Sequence, residues 1–186
     1  MNNLVICKAC GFILDQSKLG DVCPACGVPA KMFESYVEKI SPKRKLLLSM
    51  DFHPVMVHFP QAFSFTLFIL ALLSLTVSGV LRTKLTATLE VVSVLLPVMT
   101  VLSIAAGMFD GKIRFRKFTT PLLVRKMVLG VVFLGLTIAG AAYIRLHPEF
   151  ISRDLYIIAT INVVTIGIGA RLGLIGVSLL NSKFPG

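Results

Sequence analysis

Residues 7 to 27 read CKACGFILDQSKLGDVCPACG and contain all four cysteines of this 186-residue chain. Two residues separate the cysteines of each pair and a glycine follows, so each pair forms a tight turn that can aim two sulfurs at one ion. Two such turns complete a tetrahedral site, and its predicted metal ligands are Cys7, Cys10, Cys23 and Cys26. Because so short a module buries little apolar surface, we expect its folding to depend on the metal. The spacing admits iron or zinc equally.

The remainder of the chain has the composition of a membrane protein. Hydrophobic residues make up 55% of the sequence and the mean hydropathy is +0.85, whereas soluble domains contain roughly 45 to 50% apolar residues. The formal net charge is +10, but the basic residues cluster beside apolar segments, where they set topology and contact lipid phosphates. We therefore expect a lipid bilayer, and no nucleic acid, as the partner of this chain.

Four apolar segments are long enough to span a bilayer as helices, which takes ~20 residues each. They cover residues 54–81, 86–109, 122–144 and 155–180. Short connections force neighbouring helices to run antiparallel, so a four-helix bundle is expected. Gly169 and Gly173 form a GxxxG pair, which we interpret as packing inside the bundle, while a homo-oligomer stays open.

Basic residues identify the sides of the membrane. They concentrate before the first segment (Lys31, Lys39, Lys43, Arg44, Lys45) and between the second and third (Lys112, Arg114, Arg116, Lys117, Arg125, Lys126). The first twenty residues lack the apolar core of a signal peptide. The positive-inside rule then predicts a multi-pass protein of the cell membrane with both termini in the cytoplasm.

Changes in composition divide the chain into three predicted parts. Residues 1–35 form the metal module, residues 36–50 a basic tether, and residues 51–183 the four-helix transmembrane domain. Pro42 disfavours an uninterrupted helix in the tether, and the triplet from Lys43 to Lys45 suits an anionic lipid surface. At no more than ~3.6 Å per residue, so short a tether keeps the metal close to the membrane.

The stretch ICKACGFILDQSKLGDVCPACGVPAKMF, residues 6–33, resembles the rubredoxin domain of rubrerythrins. The matching features are CxxCG, a gap of twelve residues, CPxCG, and the downstream Pro29, Lys31 and Phe33. The resemblance implies that the four cysteines hold one iron, which cycles between ferric and ferrous states, and it favours iron over zinc. The fold class is then a mostly α-helical membrane protein, a four-helix transmembrane bundle with a small rubredoxin-like module of β knuckles at the N-terminus.

The first apolar segment begins with HPVMVHFPQAF, residues 53–63. This HPxxVHFP motif resembles the start of a family of four-helix membrane proteins known as domain of unknown function 2231. The run AAGMFDG, residues 105–111, matches that family again at Gly107 and Asp110. The third segment departs from the family, because Arg125 and Lys126 stand where a histidine is common.

Five residues in or beside the apolar segments are candidates for binding a cofactor, because ionisable groups at membrane depth are usually functional. They are His58, His53, Arg171, Asp110 and Lys126. We expect His58 to be the better ligand or proton carrier, and His53 to lie at the edge of the helix. Arg171 is expected to face the bundle interior and to pair with Asp110. We expect these residues to converge on one polar cavity, and its cofactor would be a haem b or a quinone.

A tetrathiolate iron has no open coordination position, so it transfers single electrons and does not bind substrate. The leading hypothesis is therefore electron transfer from a soluble cytoplasmic donor, through the iron, to a membrane acceptor: a haem, a quinone or a redox partner complex. Whether the chain is part of a membrane oxidoreductase stays open. The alternative is a zinc ribbon on a membrane transporter or sensor without redox activity.

Overall fold

The computed structural model describes residues 4–38, 40–50, 52–115 and 119–181. The chain divides into two compact units, one up to Leu46 and the other from Leu47 onward. Several residues used in the topology and boundary predictions lie outside the described residues: Lys39, Asp51, Arg116, Lys117 and the end of the transmembrane domain at 182–183.

The first unit contains a small antiparallel sheet. Its strands are β1 (Leu4–Cys7), β2 (Ile13–Asp15) and β3 (Phe33–Tyr36), and β1 lies between the other two. Short 3-10 turns at Gln16–Lys18 and Ala30–Met32 connect to these strands. The sheet buries Val5 and Cys7 on one face of β1, as the period of two in a strand requires. This core is small, in keeping with the length of the module.

The predicted tether contains a helix, α1 (Pro42–Ser49). Pro42 is its first residue, where a missing N–H costs no hydrogen bond, so the proline begins this helix and does not interrupt one. The Lys45 ammonium donates to the Glu38 carboxylate at 2.7 Å, which ties the new helix to the end of β3. The basic triplet therefore lies on a short helix.

The second unit is built from helices α2 (Phe52–Met56), α3 (His58–Thr76), α4 (Gly79–Phe115), α5 (Pro121–Leu146) and α6 (Ser152–Asn181). Four candidate spans are long and apolar enough to cross a membrane: Pro42–Thr76, Gly79–Phe115, Pro121–Leu146 and Ser152–Leu179. Four long apolar helices with a small N-terminal sheet confirm the predicted fold class.

The first reversal of the chain comes earlier than predicted. Helix α3 ends at Thr76, and α4 begins at Gly79, whose φ of +62° is a conformation that favours glycine. The predicted connection at residues 82–85 is therefore helical, and Arg82 lies within α4, where its guanidinium donates to the Phe150 carbonyl at 2.8 Å.

The core of the bundle combines apolar side chains with small hydroxyls. Leu67, Leu89, Leu155 and Ile158 are almost fully buried. Seven buried hydroxyl residues accompany them: Ser64, Ser74, Ser93, Thr100, Ser103, Thr137 and Thr165. Six of these hydroxyls donate to a carbonyl one turn earlier in their own helix. The Ser103 hydroxyl shares its hydrogen between two carbonyls at 2.8 Å, those of Met99 one turn earlier and of Met56 on α2. Small side chains of this kind allow membrane helices to approach closely.

The GxxxG pair faces the interior of the same chain. A methyl group at Gly169 would lie 3.4 Å from Phe133, and Gln61 of α3 donates to the Gly169 carbonyl at 3.4 Å. Gly173 also faces Gln61, at 3.9 Å. The pair therefore packs within the bundle, in agreement with the interpretation from the sequence. Whether the protein forms a homo-oligomer stays open.

Candidate functional site

Two equivalent turns build the candidate metal site. In the first, the Gly11 N–H donates to the Cys7 carbonyl at 2.8 Å and the Cys7 N–H donates to Phe12 at 2.9 Å. In the second, the Gly27 N–H donates to the Cys23 carbonyl at 2.9 Å, with a matching bond from Cys23 to the Val28 carbonyl at 2.8 Å. The two glycines have φ values of +77° and +75°, which explains why glycine follows each pair of cysteines.

The four cysteine sulfurs converge on one point. The Sγ atoms of Cys7 and Cys26 are 3.8 Å apart, and those of Cys10 and Cys23 are also 3.8 Å apart. All four lie within 4.8 Å of one another. A tetrahedron with metal–sulfur bonds of ~2.3 Å has edges of ~3.8 Å. The residues present therefore fit a single tetrahedral metal ion, and the four cysteines could bind one.

Burial divides the four sulfurs into two pairs. Cys7 and Cys23, the first cysteine of each turn, are 1% and 2% exposed, whereas the second cysteines, Cys10 and Cys26, are exposed. This follows from the folding of the chain, since Cys7 ends a central strand and the second cysteine stands at the tip of the turn. A metal held here would have one side covered by protein and one side open to a docking partner.

The thiols do not ionise independently in the metal-free site. Burial raises the pKa of the Cys23 thiol, but hydrogen bonds from the Cys26 and Ala25 N–H groups outweigh it and lower the pKa to about 7. A backbone hydrogen bond from Val28 lowers the pKa of Cys26, but contacts with the neighbouring cysteine sulfurs, together with burial, raise it to about 12. One thiolate is thus favoured at the expense of the others, and four thiolates together need a cation.

Comparison with known proteins supports this interpretation of the module. Residues 6–34 match the rubrerythrin, rubredoxin-like domain family. The N-terminal unit therefore contains a rubrerythrin-type rubredoxin-like domain with four cysteines, which covers about one sixth of the chain. No curated protein matches the chain. No solved structure matches it either. The resemblance of the membrane segment to domain of unknown function 2231 stays a prediction.

Both ring nitrogens of His53 have a hydrogen-bond partner on a neighbouring helix. Its Nδ1 lies 3.1 Å from the carbonyl oxygen of Ser103 on α4, and its Nε2 lies 2.8 Å from the Nζ of Lys126 on α5. A carbonyl only accepts, so Nδ1 carries the hydrogen and Nε2 accepts from the lysine ammonium. The imidazole is thereby assigned as the neutral ring, with both nitrogens engaged.

The chain around His53 explains this arrangement. Pro60 has no N–H, so the Met56 carbonyl four residues earlier lacks its usual helical donor. The Ser103 hydroxyl donates to that carbonyl at 2.8 Å. A methyl group at Gly107 would lie 2.8 Å from the ring of His53. Thus α2 packs directly on α4, and the glycine of AAGMFDG provides room for the imidazole.

Asp110 belongs to the same cluster. It lies one turn beyond Gly107 on α4, it is 7% exposed, and its carboxylate is close enough to interact electrostatically with Lys126. The Lys126 ammonium also reaches α6, since a methyl group at Gly176 would lie 3.5 Å from Nζ. The structure therefore brings together three of the five predicted membrane residues, His53, Lys126 and Asp110.

The other two candidates lie apart, contrary to expectation. His58 is exposed: it follows His53 by five residues, about 140° around a helix, and α2 ends between them at Met56. Arg171 is exposed as well, because it lies two residues, or about 200°, beyond the inward-facing Gly169. The ion pair expected between Asp110 and Arg171 is not among the salt bridges of residues 4–38, 40–50, 52–115 and 119–181. The expectation that Arg171 faces the bundle interior was wrong, whereas a ligand or proton-carrying role for His58 stays a prediction.

Sequence reasoning missed a second polar cluster at the connection between α5 and α6. The Tyr143 hydroxyl donates to Asp154 at 2.9 Å, and Asp154 is only 2% exposed. The ring of His147 stacks on Tyr143, with centroids 4.2 Å apart. No local motif reports this contact, because Tyr143 and Asp154 meet only after the chain has reversed.

A small cavity lies within the bundle. Its volume is about 10 Å³, and its polar lining comes from Ser93, Thr137, Asn162 and Thr165. Such a space holds about one water molecule. It is too small for the ring of a haem or a quinone, so a cofactor of that size would have to bind elsewhere.

Proposed function

We propose that this protein transfers single electrons from a soluble donor to an acceptor in the membrane, through one iron ion bound by Cys7, Cys10, Cys23 and Cys26. The observation that carries the proposal is the set of four sulfurs within 4.8 Å of one another, in a rubredoxin-like domain on a chain with four candidate membrane helices. The finer parts, which are iron, electron transfer and the direction of flow, are inferences from this arrangement.

The closed ligand set supports electron transfer over catalysis at the metal. Four thiolates close the coordination sphere of a tetrahedral metal, so substrate cannot bind to it. When bound, iron in such a site supplies a one-electron couple. The fixed turns around Gly11 and Gly27 would hold the sulfurs in nearly the same positions in both oxidation states, which favours fast transfer.

The exposed cysteines are the part of the metal site that a redox partner can approach. Cys10 and Cys26 lie on the outer side of the site, next to Ala9 and Ala25, which are also exposed and small. A donor can therefore approach the sulfurs closely without displacing a large side chain. We propose that the buried pair, Cys7 and Cys23, anchors the metal, and that the exposed pair faces the redox partners.

The helical unit would hold the module at the membrane and present it to the acceptor. We propose a multi-pass protein of the cell membrane with both termini in the cytoplasm, where the donor is soluble. In this proposal residues 1–35 carry the metal, residues 36–50 connect it to the membrane, and residues 51–183 span the bilayer.

The absorbance and metal content of the purified protein test the proposal. The full chain is expressed with both iron and zinc in the medium and purified in detergent from membranes. We expect one iron per chain, the red colour of a ferric tetrathiolate, bleaching by dithionite, and return of the colour with ferricyanide. A colourless protein with one zinc per chain would refute electron transfer and favour the zinc-ribbon alternative.

A further inference from the structure

The cluster of His53, Lys126 and Asp110 has no part in the metal site, and we propose that Lys126 donates protons to a quinone-type acceptor that receives the electrons of the iron. This inference rests on the proposed electron transfer. It goes further by naming the class of acceptor and the residue that gives it protons.

The first step of the argument is the state of His53. Its Nδ1–H is fixed on the Ser103 carbonyl at 3.1 Å, so its Nε2 lone pair can only accept. The partner at 2.8 Å is the Lys126 ammonium. Because the His53 ring is uncharged, its Nε2 holds the ammonium in place by a hydrogen bond and does not neutralise the charge. His53 is therefore a positioning residue, and the transferable proton is on Lys126.

The second step is the surroundings of Lys126. The described charged groups near its ammonium are Asp110 and Arg114, both from α4. From α6 the ammonium meets Gly176, which has no side chain. Asp110 is the one anion of this group, and it lies near the end of α4. It is therefore suited to supply a new proton to Lys126 from the water beyond the helix.

The third step concerns the acceptor. Large apolar side chains next to the cluster are exposed, including Phe52, Val55 and Met108 at 47%, 57% and 49%. In a bilayer these residues contact lipid, so a molecule that reaches the cluster from this side must dissolve in lipid. Complete reduction of a quinone by two ferrous ions takes up two protons and yields two ferric ions and one quinol. A quinone therefore needs the proton donor that this cluster provides.

A haem fits the same residues less well. An axial histidine binds iron through a ring nitrogen with a free lone pair. The Nε2 of His53 already faces Lys126 at 2.8 Å, and Nδ1 carries the hydrogen. Iron could bind only after the lysine had left, so the arrangement supports proton transfer over haem ligation.

Two oxidants separate the proton step from the electron step. The iron of the full-length protein in detergent is reduced and then mixed with ferricyanide, which takes an electron without a proton, or with a short-chain ubiquinone analogue. Lys126→Arg keeps the positive charge, but a guanidinium does not release its proton in proteins. We expect Lys126→Arg and Lys126→Met to slow reoxidation by the quinone at least tenfold and to leave reoxidation by ferricyanide unchanged.

A matched control comes from a neighbouring exposed residue. Arg125→Gln removes a cation one residue earlier, and this variant should reoxidise like the unmodified protein with either oxidant. Unchanged quinone rates in both Lys126 variants would overturn the inference. So would full rescue by Lys126→Arg, because a structural role for the charge would then suffice. Slowing with both oxidants would also overturn it, because the substitution would then impair electron transfer itself and not only the proton step.

Failure of the proposed function gives different results. If ferricyanide does not restore the ferric colour of the unmodified protein, the proposed electron transfer is wrong, and the proposed quinone-type acceptor fails with it. If ferricyanide works and the quinone does not, electron transfer survives and only this inference fails.

A measurement without any acceptor tests the geometry in the unmodified protein. With ¹⁵N-labelled histidine, magnetic resonance should show His53 neutral at pH 7 with its hydrogen on Nδ1, after assignment by replacing His58 and His147. A hydrogen on Nε2, or on both nitrogens, would show that His53 does not accept from Lys126 and would overturn the proposed site.

Discussion

Replacing Gly107 by alanine tests the packing of His53 on α4. The new methyl group would lie 2.8 Å from Cε1 and 2.9 Å from Nδ1 of the ring, well inside the 3.5 to 4.0 Å at which such atoms pack. The helix backbone cannot easily yield, so the imidazole must move and leave both Ser103 and Lys126.

The expected cost follows from the interactions lost. The hydrogen bond to the Ser103 carbonyl contributes about 1 kcal/mol and the charged one from Lys126 about 2 kcal/mol. Alanine is more favourable than glycine inside a helix by about 1 kcal/mol. We therefore expect Gly107→Ala to lower the free energy of unfolding of the helical unit by about 2 kcal/mol.

A second glycine provides the control. No atom lies within 4 Å of a methyl group at Gly135 on α5, so Gly135→Ala should only gain helix propensity, up to about 1 kcal/mol. The two variants should then differ by about 3 kcal/mol, or roughly 6 to 12 °C in melting temperature for a domain of this size.

Thermal unfolding in detergent, followed by far-ultraviolet circular dichroism, measures this difference. Histidine resonances recorded on the same samples report whether His53 has left its partners. Equal melting temperatures for the two variants, with the His53 resonance unchanged in Gly107→Ala, would refute the packing of the ring against α4.

Three further predictions address the rest of the molecule. Cys10→Ser should abolish binding of one metal ion per chain and leave the first unit sensitive to protease, while the helical unit keeps its melting temperature, because the two units are compact separately. The hydrogen bond from Lys45 lowers the pKa of Glu38, so the pair stabilises α1 at pH values above the ordinary carboxylate range and is lost as the pH falls through the lowered pKa. We expect the pair to protect the amides of α1 from hydrogen exchange roughly twofold, and this protection should disappear in acid. Tyr143→Phe removes the hydroxyl that donates to the buried Asp154 and should cost the helical unit about 1 to 3 kcal/mol, measured by thermal unfolding.

Each of these predictions has its own control and its own contrary result. A Ser17→Ala variant, which leaves the cysteines intact, should keep the metal; full metal content in Cys10→Ser would contradict the tetrathiolate site. For the pH effect, Lys45→Met should show no acid-dependent loss of protection, and the same loss in both proteins would assign it to other groups. Tyr156, near the start of α6 and 62% exposed, should tolerate phenylalanine, and an equal cost at both tyrosines would argue against the bond to Asp154.

The metal site was largely predictable because its geometry is local. Each CxxCG turn determines the position of two sulfurs through hydrogen bonds within five residues, and the sequence repeats that turn. The four apolar helices were predictable for a similar reason, since lipid requires long segments with internal hydrogen bonds. Composition and spacing are enough for both features.

The membrane cluster was only partly predictable, because it depends on helix phase and on where helices break. The choice between His53 and His58 depends on the break at Val57. The contact of Lys126 with His53 depends on the packing of both α5 and α2 against α4. The turn at Gly79 was missed because apolar residues continue on both sides of it. Hydropathy measures the extent of an apolar segment and carries no information on its rotation.

The length of α4 bears on where protons can enter the protein. Lys84 and Lys112 flank its apolar stretch, and at 1.5 Å per residue they stand about 42 Å apart, close to the ~40 to 45 Å thickness of a bilayer with its headgroups. If α4 spans the bilayer as we propose, Asp110, two residues before Lys112, lies near one end of that span. In our proposal a proton then reaches Lys126 from one side of the membrane only, and the bundle would supply an acceptor without a channel through the bilayer and without dissipating the transmembrane proton gradient.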